Sequence, residues 1–552
     1  MSASRNPQVT GIALGIALSI GPAVLTSLAA DWYAAPNGQP PPAGTGQMNA
    51  PWDLQTALDP SRQQPPPNRV QAGDTVWLLD GEYTPTQQGC PDGNFCCKLA
   101  GTAALPIVVQ QYPGHHARIN GGVRLGNLGI IHVRYDYVHF RDFEIMSSAL
   151  DHSSECADPN CVPCTSLPPD IQPALAFTVH QADPNDPVNI KGLKFINLII
   201  HDTAEPWYLH QDAEGAEVYG CIIYYNGWQT VCANRNPNRG HGHGVYVQND
   251  TAAPKKVIDN IVFSQFGSGI VGYSTTIGEL NNIYVEGNIV FNNGLLTALF
   301  PEPYNYGYQD NILVGDSVEV VNPQVLNNYT YFTPAQFQGS LTGGRGQLGH
   351  AQTSRNAVAT GNYFIAQDGS CLMFKGLDVN DPGGAVITNN VFFGSTCSDK
   401  MVTWDTLELF RGPQHNNSFY GAPTTCVPQN LGSPTGIQSF VRGNRYDPTR
   451  AHIVVYSWAA DVNDVMVNVS SVMSPAEYYQ VLDVQNYYGA PIATGFYGGG
   501  SISIPMADVN APASQPWGTP GRQSPKHTPK QFGVFVLIHN YMQQEGPVGG
   551  GP

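Results

Sequence analysis

The feature that most constrains this chain is a short phrase that keeps returning in one direction. Apolar runs of Val, Ile, Phe and Tyr recur, each punctuated by Asn or Gly. Examples are GLKFINLIIHD (192–202), AEVYGCIIYYNG (216–227), KVIDNIVFSQFG (256–267), NIYVEGNIVFNNG (282–294), VNPQVLNNYTYF (321–332), ATGNYFIAQDG (359–369) and AVITNNVFFGS (385–395). The Asn ahead of the second strand of each unit recurs at 28 residues from Asn260 to Asn288, at 28 from Asn362 to Asn390, and at 27 from Asn390 to Asn417. Strand-forming residues broken every few positions by Asn and Gly exclude helices. A strand-turn-strand phrase repeated in one direction excludes a simple run of hairpins. It predicts stacked coils, each strand pairing in parallel with its equivalents at ~4.8 Å per coil. Asn suits the turns because it tolerates left-handed backbone, and in a stack its amide reaches the next Asn. The expected fold is all-β, a right-handed parallel β-helix of roughly ten coils.

Composition agrees. The 552 residues include 59 Gly and 45 Pro, and only 12% are charged, so turns are frequent and long charged helices are excluded. A formal charge of −17 argues against a nucleic-acid partner, which requires a basic stripe.

The opening coils carry a resemblance. WYAAPNG, PWDLQTAL, AGDTVWLLDGEYT and LPIVVQQYPGHHARINGG together resemble the first coil of the pectate-lyase-like β-helix superfamily. The resemblance implies that PWDLQTAL (51–58) is a short helix capping the open end of the stack, where apolar side chains and unpaired backbone need cover. GHGHGVYVQND (240–250) also resembles a phrase, HGHGxYxQN, of bacterial β-helix proteins that carry no assigned activity, so it implies no mechanism.

The expected organisation is an export signal over 1–29, the β-helix over 30–447, an antiparallel β-sandwich-like domain over 448–542 that resembles the C-terminal β-domains of carbohydrate-active enzymes, and a disordered tail over 543–552. The signal rests on Arg5, the apolar run from Gly11 to Ala30, and small residues at Ser27 and Ala29. It predicts a secreted or extracellular location, periplasm or cell surface included, with no other membrane attachment. Eleven cysteines fit that compartment. Disulfides are expected over zinc in the groups Cys90, Cys96, Cys97 and Cys156, Cys161, Cys164, whereas Cys221 in CIIYY reads as a buried free thiol.

A β-helix lines up equivalent side chains on one outward face. AFTVHQ (176–181), WYLHQD (207–212), VYVQND (245–250), IVGYST (270–275) and LMFKGL (372–377) fill one place in the repeat. Alternation turns Phe177, Val179, Trp207, Leu209, Val245 and Val247 inward. It turns Thr178 and His180, Tyr208 and His210, Tyr246 and Gln248, Val271 and Tyr273, and Met373 and Lys375 outward. Tyr, His and Gln suit sugar rings, since aromatic faces stack on C–H surfaces and amides bond hydroxyls. A polysaccharide is therefore the expected substrate or ligand, with Tyr208, Tyr246, Gln248, Tyr273, His241 and His180 in binding roles. The ordinary alternative is that outward strand residues are polar in any case.

Three readings of the face stay open. In glycoside hydrolysis, the leading one, Asp212 and Asp250 at equivalent strand ends act as the paired carboxylates, with turn capping as the ordinary alternative. In β-elimination on a uronic-acid glycan, lyases resembling this fold commonly use Lys or Arg, which implies Lys375 or Arg345 here, with His210, His243 or Tyr246 as alternative bases. Lyases resembling this fold often add calcium, the one cofactor considered. The third reading is a glycan-binding protein without catalysis. For His241 and His243, metal binding competes with a substrate role and with a plain structural turn, and no third ligand has diagnostic spacing.

Overall fold

The structure is a computed structural model. It describes residues 29–540 apart from 86–93, 125–128, 155–169, 180–189, 211–212, 232–239, 275–278, 301–308, 316, 333–343, 350, 367–370, 379–380, 395–407, 411, 422–430, 460–461 and 519–521. The export signal up to residue 28, the tail, His180, Asp212, Cys90, Cys156, Cys161 and Cys164 lie outside the described residues.

Three parallel sheets wrap the coil axis. The first has eleven strands, from Asp31–Ala34 to Val386–Thr388; the second has eleven, from Gly81–Tyr83 to Ser418–Tyr420; the third has nine, from Phe95–Cys97 to Leu372–Phe374. Within each of the three sheets every neighbouring pair is parallel, as in Val257 on Val285 and Val285 on Val325 in the first. The chain is a right-handed parallel β-helix. Its inward residues, Val218, Val257 and Val285 from the first sheet, Ile223, Val262 and Val290 from the second, and Trp207, Val245 and Ile270 from the third, form one continuous apolar core. Each such side chain contributes about 1.5–3 kcal/mol when fully buried.

The Asn rhythm has a direct structural cause. Asn260, Asn288, Asn328, Asn362, Asn390 and Asn417 form a ladder in which each Nδ2 donates to the next Oδ1 at 2.9, 3.0, 3.0, 2.9 and 3.2 Å. Each amide of the first five also donates to an inner carbonyl, Val285 O in the case of Asn328 at 3.0 Å. The turn residue just ahead, such as Asp259, Asn327 or Asn389, has positive φ, which Asn and Asp tolerate.

Leu54–Leu58 is the expected capping helix. Asp53 caps it by accepting from Thr56 N at 2.9 Å, and all five residues are buried. Gln55 pairs with the backbone of Cys96 in both directions, at 3.1 and 2.8 Å, tying the helix to the first strand of the third sheet. Cys96 and Cys97 therefore lie in a strand, and Cys97, expected in a disulfide, is a buried free thiol, as are Cys221 and Cys371. Burial pushes all three of these thiols up to about 12.

The C-terminal sheet is antiparallel and opens at Ile437–Gly443, so residue 448 falls in the turn before its second strand. Five strands run in the order Ile437–Gly443, Arg450–Ser457, Phe532–His539, Tyr478–Asp483, Ala493–Phe496; a second sheet pairs Asp464–Asn468 with Ser501–Pro505. The strand Arg450–Ser457 is buried along its whole length because it is covered twice. Ile453 and Val455 face the sandwich core, while Val454 and Tyr456 pack on the outward residues of the second sheet, Ile261, Phe263, Ile289 and Phe291. Phe532 stacks on Tyr331 at 4.1 Å between ring centres. Polar ties edge this contact: Arg442 to Asp259, Arg445 to Glu217, and Asn444 to Asn197 at 2.6 Å. Nearby, His201 is held between Asp202 at 2.7 Å and Glu144 at 2.8 Å, and Asp202 also accepts Trp517 N at 2.7 Å. Burial disfavours the His201 imidazolium, but the two carboxylates override it and raise the group to about 9.

Candidate functional site

The third sheet carries its outward positions in one register. Cys96, His132, Thr178, Tyr208, Tyr246, Val271, Leu313, Gln347 and Met373 follow one another coil by coil. The residues expected inward, Phe177, Val179, Trp207, Leu209, Val245 and Val247, are all buried in the core. The ladder continues one residue further, through bonds such as Gln248 N to Leu209 O at 2.9 Å and Lys375 N to Leu348 O at 3.0 Å. A flanking row thus contains Arg134, His210, Gln248, Tyr273 and Lys375.

Both ends of the main column are closed. His132 and Thr178 are buried and bonded to each other, His132 Nδ1 to Thr178 Oγ1 at 2.8 Å, and Gln347 and Met373 are buried too. Tyr246, near the middle, is part-exposed. Its hydroxyl accepts from Gln248 Nε2 at 2.8 Å. Two imidazoles flank its ring: His210 edge-on at 6.4 Å and His243 stacked at 6.0 Å between ring centres. Burial, then the charge of the buried Glu205, pushes the Tyr246 phenol well above its usual range. The glycines of GHGHG serve this packing, since a Cβ on Gly244 would meet Val262 Cγ1 at 2.3 Å and Gly269 O at 2.8 Å. His243 Nδ1 accepts Ser268 N at 3.2 Å. Below the site, Lys255 is wholly buried inside the coil and donates to Leu209 O at 3.2 Å and to His210 O, fixing the end of the His210 strand.

The other expected residues are placed elsewhere or lie apart. His241 is in a side sheet, stacked on Trp228 at 4.0 Å with its Nε2 bonded to Thr230 Oγ1 at 2.7 Å, so its ring serves local packing. Tyr208 takes its expected register position. Tyr273 is part-exposed, one coil beyond Gln248. Lys375 stands four coils beyond Gln248, ~19 Å along the axis, and donates to Ala351 O at 2.5 Å; it does not join Tyr246. Arg345 is buried in an ion pair with Asp310 at 2.5 Å. Asp250 is exposed at its strand end, and its partner in the hydrolytic reading, Asp212, lies outside the described residues. No cluster of three His, Cys, Asp or Glu side chains suited to a metal occurs among the described residues.

Sequence reasoning passed over His132, Leu313 and Gln347. IHVR (131–134) was legible as another copy of the alternating phrase, whereas ILV and GQL are too short and plain to stand out.

Neither a family model nor a curated protein matches the sequence. Among solved structures, the chain is similar to a pectate lyase, Pel9A, at 16% identity, covering 64% of this chain and 80% of that one with a TM-score of 0.40. It is similar to a rhamnogalacturonan lyase at 12% identity, covering 66% and 73% with a TM-score of 0.37. It is also similar to the Dettilon tailspike protein at 11% identity, covering 85% of each chain with a TM-score of 0.26.

Proposed function

We propose that this parallel β-helix, once exported, binds an acidic polysaccharide along the outward column of its third sheet and cleaves it by β-elimination at Tyr246. The observation that carries this reading is the Tyr246 hydroxyl, held by Gln248 at 2.8 Å and flanked by His210 and His243.

In the reaction a base takes the proton α to the uronate carboxylate, the β C–O bond breaks, a C=C bond forms in its place, and the departing oxygen takes a proton. Tyr246 keeps its proton at neutral pH, and because Gln248 donates to its oxygen, the phenolic O–H is directed elsewhere. Tyr246 is the proton donor to the leaving sugar. His243 accepts Ser268 N on Nδ1, so its neutral ring carries hydrogen on Nε2 and donates to substrate. The base role falls to His210, whose backbone Lys255 secures. No water is consumed in the bond cleavage.

The test offers the intact protein a panel of uronic-acid and neutral polysaccharides, and follows ultraviolet absorbance of unsaturated uronate together with new reducing ends. Absorbance and reducing ends rising together on a uronic-acid substrate is the expected result. Reducing ends without absorbance would move the reaction to hydrolysis, and binding with neither would make the column a non-catalytic groove; either outcome overturns elimination.

A further inference from the structure

A second outward column lies on the first sheet. Tyr33, Trp77, Gln110 and Arg141 follow one another in register over four coils, all part-exposed. The run leads into a cleft of about 590 Å³ between the β-helix and the C-terminal domain, walled by Trp77, Tyr112, His116, Tyr488, Arg141 and Arg450. The aromatic rings form an angled wall: Trp77 meets Tyr112 edge-on at 5.6 Å, and His116 meets Tyr488 at 5.2 Å.

One group on this wall lacks what it needs. Arg450 is 8% exposed, and its Nε and Nη2 are buried with no hydrogen-bond partner. Arg141, beside it, is paired: its Nε faces Asp142 at 3.6 Å and its Nη2 donates to Tyr446 O at 3.2 Å. A buried guanidinium without an acceptor is costly, and charged groups of this kind are ordinarily paired. The carboxylates of the cleft are already engaged. Glu144 accepts from His116, Arg118 and His201. Asp447 accepts from Thr449 N and Oγ1, and Asp142 accepts from Asn197 and pairs with Arg141, while making no hydrogen bond to Arg450. Arg450 therefore keeps two donors, Nε and Nη2, without an acceptor, beside aromatic faces.

The geometry points to a second saccharide site, distinct from the Tyr246 column: a uronate residue whose carboxylate takes Arg450, with its sugar faces on Trp77, Tyr112 and Tyr488. Carboxylate on guanidinium supplies the missing acceptor, and aromatic faces on C–H surfaces supply the contact area. This site involves no bond cleavage. It holds an acidic chain on the flank of the coil, so its test is separable from that of the column.

The experiment is calorimetric binding of a tetrameric oligouronate to the full chain carrying Tyr246→Ala and His210→Ala, which disables the column and leaves the cleft intact. Binding of one equivalent is expected in that background. Trp77→Ala, on the part-exposed wall, and Arg450→Gln are each expected to weaken it by about tenfold or more, and a neutral oligosaccharide of equal length binds at least about tenfold more weakly than the oligouronate. Tyr488→Ala serves as the second wall variant should Arg450→Gln not fold. No binding in the column-disabled background, or affinity unchanged by Trp77→Ala and Tyr488→Ala, overturns the cleft and leaves the column reading standing. Loss of turnover in the column variant with cleft binding retained separates the two in the other direction.

Discussion

The second and third sheets are built from the same coils and the same alternation, yet their outward faces have opposite characters. Outward from the second sheet stand Ile222, Tyr224, Ile261, Phe263, Ile289 and Phe291, buried under the C-terminal domain. Outward from the third stand Thr178, Tyr246 and Gln347, with His210 and Gln248 in the flanking row. One face is a docking surface; on the other, Thr178, Gln347 and Gln248 are buried, Tyr246 and His210 are part-exposed, and the proposed chemistry is placed there. A solenoid leaves every outward face unpaid by the core, so side-chain chemistry alone decides which face is covered and which meets a ligand. On the second sheet the run of outward apolar residues marks an internal contact.

Tyr246→Phe removes the proton donor and is expected to lower turnover by about 10²–10⁴-fold with an unchanged melting temperature; a matching fall in melting temperature would make the third face structural as well. On the second face, Phe532→Ala removes the ring stacked on Tyr331 and is expected to cost about 3–5 kcal/mol in denaturant unfolding while oligosaccharide affinity at the column stays the same. The His201 junction adds a pH signature. Its folded value of about 9 lies above the ordinary 6.5, so its stabilisation is complete below about pH 6.5 and is lost as pH rises through 9, on the order of 3 kcal/mol over that window. Thermal melts across that range should show the decline, and His201→Gln should flatten it. The smallest effect belongs to the ladder both faces share: Asn328→Ala removes the donor to Val285 O and the oxygen that accepts from Asn288 N and Nδ2, about 1–3 kcal/mol by chemical denaturation, with no change in turnover.

The legible part of the molecule was whatever repeats. The Asn spacing over Asn260, Asn288, Asn362, Asn390 and Asn417 anticipated the ladder, and alternation anticipated the inward and outward sets around Trp207 and Val245. Parallel pairing preserves register from coil to coil, so aligning phrases was equivalent to aligning strands. Illegible parts arise where the period is interrupted or where distant segments meet. Leu313 and Gln347 sit in strands of three residues separated by long loops, so no rhythm announced them. Arg345 looked available in GGRGQLGH because its partner Asp310 lies on the preceding coil. Lys375 and His210 share a row, but sequence alone does not count the coils between them. The cleft at Arg450 joins the opening coils to the C-terminal domain, a proximity created by docking alone. Cys97 was misread because crowding of cysteines in sequence says nothing of strand position.

The Asn ladder makes the coil the natural unit of change. Every inner rung donates to the next and accepts from the one before, so a rung is interchangeable with its neighbours in a way that no single residue of a globular core is. Duplicating a whole coil, from just after Asn362 through Asn390, would add one rung, one row to each sheet and ~4.8 Å to the stack, while every existing bond finds an equivalent partner. Inserting half a coil would shift an inward residue outward and break the ladder at a single point. Lengthening of the stack is therefore available in whole steps only.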